Sequence, residues 1–129
     1  MSAWYRLVFI ASTMLLLCPY PLASQTIVVT KESPVEAKLA LIDTGSAAVQ
    51  TSLVRRYATL LDTLAGRCDE DRTMVSDMAV RSTEMIKEQS GRQVKVRTIL
   101  EETVAATVGQ RSVKCSSIMA AVAVMIKDR

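Results

Sequence analysis

The sequence contains no histidine and, read residue by residue, no asparagine. The first absence removes the commonest general base and neutral-pH metal ligand. The second removes every acceptor for Asn-linked glycosylation. Glycine and proline are scarce, four and three among 129 residues. They stand where segments should begin or end, not at the short regular spacing of an all-β sandwich. Aromatic residues make up only 4%, so a core must come from the Ala, Val, Leu, Ile and Met that supply most of the 50% hydrophobic content. That is the vocabulary of helix packing. The formal charge of +3 is small and dispersed, which argues against nucleic acid as a partner. Catalysis is also poorly supported: there is no Ser-x-x-Lys, no nucleophile elbow and no glycine loop for phosphate. The expectation is therefore a non-enzyme without cofactor, and at this length a single domain beyond any targeting segment.

Residues 1–24 have the order of parts of an export signal. Arg6 supplies the positive start, Leu7 to Leu17 is apolar apart from Ser12 and Thr13, and Pro19, Pro21, Ala23 and Ser24 form a helix-breaking, small-residue end. Cleavage is expected after Ser24. The apolar run is about a dozen residues, whereas a spanning helix needs roughly twenty, so no stable membrane span is expected after removal. Leu17 before Cys18 is too large for a lipoprotein site. The protein is accordingly expected to be exported, to the periplasm or the medium. Its mature form keeps two cysteines, Cys68 and Cys115, most simply joined as a disulfide.

The mature chain opens with Gln25 to Lys31, a β-branched stretch read as extended and loosely attached, leaving residues 33–129 as the helical domain. Ser33-Pro34-Val35-Glu36 has the pattern of a capping box with proline at the first helical position. From there Leu39, Ile42, Ser46, Val49, Leu53, Tyr57, Leu60 and Leu64 recur in steps of three and four, predicting one helix of about thirty residues that ends at Gly66. Asp69-Glu70-Asp71 supplies a cap and an acidic first turn for a second helix. Its apolar side is Val75, Met78, Ala79, Met85 and Ile86, and Gly91 ends it. A third stripe follows through Val96, Leu100, Val104, Val108, Cys115, Ile118, Val122 and Met125, with a kink or break expected at Gly109. The fold class predicted is all-α, a long up-down hairpin or a bundle of three to four helices.

If the chain reverses at Gly91, Cys68 and Cys115 come level on inward faces, as a disulfide requires. Beyond Cys115, residues 118–126 are almost wholly apolar. They are expected either to fold back onto the bundle or to pack on another molecule, because exposing them is unfavourable by about 25 cal/mol per Å².

Candidate partner-binding residues are Ile118, Val122 and Met125 on this tail and the basic cluster Arg92, Lys95 and Arg97, which suits an acidic partner or a membrane surface. Arg55-Arg56 is read as a solvated face, and Glu101-Glu102 likewise. Met74, Met78 and Met85 carry thioethers that Cu(I) accepts, but Met78 and Met85 fall on the predicted buried stripe and read as packing, so no metal site is assigned. No motif assigns a family. The functional expectation is an interaction or assembly module, with a protein partner or a second copy, docking on an envelope or secretion complex. The alternative is a carrier of a small ligand or metal inside the bundle.

Overall fold

The computed structural model describes residues 25–129; the proposed export segment lies outside them. The elements are β1 (Thr26–Val28), α1 (Val35–Thr44), β2 (Ala48–Gln50), α2 (Thr51–Ala65), α3 (Arg72–Ser90), α4 (Val96–Ala106) and α5 (Cys115–Lys127). The described chain is mostly helical, but the count is five helices, not three or four, and a small sheet accompanies them.

The predicted thirty-residue first helix is broken at Gly45. Its φ of +69° costs glycine little, and its amide closes α1 on Leu41 O. Thr44 helps, its hydroxyl turning back to Ala40 O at 2.7 Å. Ala48–Gln50 then runs antiparallel to Thr26–Val28, with Ile27 opposite Val49. The N-terminal segment is thus extended as expected but not loose. Flanking bonds from Val29 N to Ala47 O and from Thr51 N to Gln25 O, both 2.8 Å, extend the pairing. The three-and-four stripe concealed the break because Val49 points inward from the strand as it would have from a helix.

The capping box does not form either. Ser33 Oγ accepts from Thr30 N at 2.8 Å, α1 begins at Val35 without a side-chain cap, and Glu36 pairs with Arg72 at 3.0 Å. Gly66 does end α2, but in ordinary right-handed conformation.

The second helix lies as predicted. Asp71 caps it, accepting from Met74 N at 2.9 Å, and Gly91 closes it with φ +72°. The predicted third helix is interrupted completely at Gly109 (φ +73°), so that α4 and α5 are separate rods. The apolar tail folds back, and α5 packs chiefly against α3 and then α4. The common core joins Leu39, Tyr57, Leu61, Leu64, Ile86, Ile99 and Leu100 from α1 to α4 with Met119 and Val122 of α5. Burying Met119, Val122 and Ile126 favours the fold by about 2 kcal/mol each. Thr103 and Thr107, buried in α4 and just after it, satisfy their hydroxyls on Ile99 O and Thr103 O.

Candidate docking surface

The chain reaches α5 with no capping side chain of its own: Lys114 stands at the cap position and makes no side-chain bond to the helix. Glu70 fills the gap from 45 residues away. Its two carboxylate oxygens accept from Cys115 N and Ser116 N, each at 3.0 Å, so the first amides of α5 meet a negative charge where the helix dipole favours one. Burial acts to raise the Glu70 carboxyl; the hydrogen bonds from Ser116 and Cys115 outweigh it and hold the group below its ordinary value of 4.5.

Beside this cap, Cys68 and Cys115, 47 positions apart in the sequence, are joined as a disulfide, with Cα atoms 5.4 Å apart. A parallel bridge seals the same corner, Asp69 N donating to Val113 O (2.9 Å) and Val113 N to Arg67 O (3.0 Å). Ligand atoms of Cys68, Cys115 and Glu70 lie within 4.8 Å of one another, but the sulfurs are bonded to each other and offer no thiolate to a metal. At the far end of α5, Arg92 Nη1 donates to Ile126 O at 2.9 Å and satisfies a carbonyl of the last turn.

Held in this way, α5 turns Cys115, Met119, Val122, Ala123 and Ile126 to the core. Its other side faces water, yet from Cys115 to Ile126 it carries no charged residue. Ala120, Ala121, Val124 and Met125 are all exposed, Val124 by 46% and Met125 by 52%. An amphipathic surface helix would place charges there.

The structure separates the predicted site residues. Met125 lies on the open face, Ile118 is half-buried at its margin, and Val122 is 1% exposed and belongs to the core. The basic residues do not form one patch. Arg92 reaches the end of α5, where Lys127 and Arg129 follow. Lys95 is exposed before α4, beside a surface pocket shared with Ile42, Asp43 and Glu84. Arg97 turns toward Glu101 at 3.6 Å, and Glu101 also receives Arg56 at 2.7 Å.

Between α3 and α5 runs a shallow groove of two adjoining pockets. One is lined by Met74 and Met78 with Asp69, Glu70, Lys114 and Ser116. The other is lined by Met78, Met85 and Met119 with Arg81, Ser82, Ser116 and Ala120.

Two roles escaped sequence reasoning. The acidic run Asp69-Glu70-Asp71 points Glu70 to its own helix, and nothing near Asp43 marks it, although it caps α4, accepting from Val96 N at 2.7 Å and Arg97 N at 3.0 Å. The available sign was negative: Lys95 and Lys114 precede helical stripes where Ser, Thr, Asp or Asn would ordinarily stand. Comparison with protein-family models, curated proteins and solved structures gives no match.

Proposed function

We propose that this protein is an exported helical interaction module that docks on a larger envelope or secretion complex through the solvent face of α5. The observation that carries the reading is the uncharged, exposed row Ala120, Ala121, Val124 and Met125 on a helix fixed at both ends. An apolar row in that position marks a contact surface when it is contiguous and rimmed by polar groups. Arg92, Lys127 and Arg129 at its C-terminal end suit a partner with an apolar patch and acidic margin.

Export is supported by the disulfide, which persists in oxidising compartments, and by the composition of residues 1–24. Among the described residues no helix is long and apolar enough to cross a membrane.

The test is recovery of the tagged full-length protein from its native cells after cross-linking, alongside a Val124→Glu/Met125→Glu variant. Both positions are exposed, so the variant should keep the wild-type melting temperature. The reading expects one partner at fixed stoichiometry with the wild type and its loss with the variant. A partner retained by the variant, or a homo-oligomer alone, contradicts it. The carrier reading is favoured by one observation, the methionine-lined groove between α3 and α5.

A further inference from the structure

Five methionines fall within residues 25–129, and four of them, Met74, Met78, Met85 and Met119, line the single groove between α3 and α5. Apart from Ala120, they are the only apolar side chains that line it. Leucine or isoleucine would serve ordinary packing there at least as well, and the rest of the core uses them. The clustering is also selective by depth. Met119 belongs to the buried core, whereas Met78 and Met85 stay half-buried and lean over an open pocket of about 300 Å³. The sequence stripe predicts core positions for those two.

The donor chemistry of the whole chain narrows what such a pocket can hold. Histidine is absent, and Cys68 and Cys115 are consumed in the disulfide. Thioethers are then the soft ligands that the described chain has free. Thioether sulfur is neutral and polarizable, and it selects Cu(I)-like cations over hard divalent ions, which require carboxylate or carbonyl oxygen. The pocket formed by Met78, Met85 and Met119 has no carboxylate to neutralise Mg²⁺ or Ca²⁺, its only side-chain oxygens being the hydroxyls of Ser82 and Ser116.

We propose that this pocket binds a soft monovalent cation, Cu(I) or Ag(I), through the thioethers of Met78, Met85 and Met119. Three neutral ligands leave the complex with the single positive charge of the ion, and binding needs no redox step. The two helices supply ligands from both walls, two from α3 and one from α5, and the unbranched methionine side chains have the freedom to converge on an ion. Arg81, also at the pocket, is exposed and on a long side chain that can swing its charge into water. The groove meets the docking row only at Ala120; Val124 and Met125, the positions changed to test docking, do not line it.

The experiment labels the methionine methyl carbons of the disulfide-bonded protein, assigns their resonances with single Met→Leu variants, and titrates with Ag(I). The expected result is that Met78, Met85 and Met119 shift together and saturate at one equivalent, while Met125, exposed on α5, does not move. Competition for Cu(I) against a chromophoric chelator should then show Met78→Leu weakened at least tenfold, the scale on which altering a ligand shell acts. Met78 is half-buried and leucine keeps its bulk, so that variant should retain the wild-type helical spectrum. Absence of a stoichiometric shift, Met125 moving in parallel with the others, or a Met78→Leu protein binding as tightly as wild type would each overturn the proposal.

Discussion

Helices α4 and α5 begin in the same awkward way, each with a lysine at the cap position, and each is completed by a carboxylate from a distant part of the chain. At α4 the carboxylate is Asp43, which reaches Val96 N and Arg97 N and also accepts the hydroxyl of the fully buried Tyr57. At α5 it is Glu70, which takes Cys115 N and Ser116 N, with the hydroxyl of half-buried Ser116 beside it in place of a core tyrosine. The two ends differ in what stands beside the cap. The α4 corner is held by hydrogen bonds and packing; the α5 corner adds a covalent tie. A bundle whose last helix carries an apolar solvent face has reason to fix that helix, because a loose α5 would expose its inner face as well.

The largest effect should come from the covalent tie. Replacing Cys68 and Cys115 by serine is expected to cost roughly 4 kcal/mol, from the loop closed by the disulfide in the chain-entropy model. Chemical denaturation checks this; a cost near zero would show that the tie adds nothing beyond the cap beside it. Next is Asp43→Ala, which leaves the Tyr57 hydroxyl and two helix amides without their acceptor and should cost about 3 kcal/mol. Tyr57→Phe removes only the hydroxyl and should cost about 1 kcal/mol. Equal losses in the two variants would show that Asp43 serves the tyrosine and not the helix.

Glu70→Ala is expected to cost about 1 kcal/mol, the ordinary worth of an N-cap. A loss as large as that of Asp43→Ala would erase the contrast between the corners. The smallest effect is one of pH. The folded Glu70 carboxyl titrates below 4.5, so its contribution is complete above that ordinary value and is lost as pH falls through the lowered one. Glu70→Gln should therefore lose less stability than wild type on acidification through this window. Parallel acid profiles would remove Glu70 from the account.

What could be read in the sequence follows the range of the interactions concerned. Asp71 and Gly91 bound α3 with groups that act within one turn, and both were legible. The pairing of Cys68 with Cys115 followed from counting the chain out to Gly91 and back. Gly45 was obscured because Val49 satisfies a helical and an extended pattern alike, so the break and the strand after it left the periodicity intact. Glu70 and Asp43 were illegible as caps because they act across 45 and 53 positions, and the only local trace is a lysine where a cap should be. Of the candidate docking residues, Met125 shares the sequence stripe of Cys115 yet is exposed. Val122, three positions away, faces the core with Cys115, Met119 and Ile126, and Met125 falls just outside that stripe, on the open margin beside it.

The most direct test of the docking account places a photoactivatable cross-linking residue at Val124 or Met125, and as a control at Thr59, exposed on α2, in full-length protein within its native cells. The account predicts one adduct with a larger protein from positions 124 and 125 and none from 59. Adducts with a second copy alone, or the same adduct from all three positions, would contradict it.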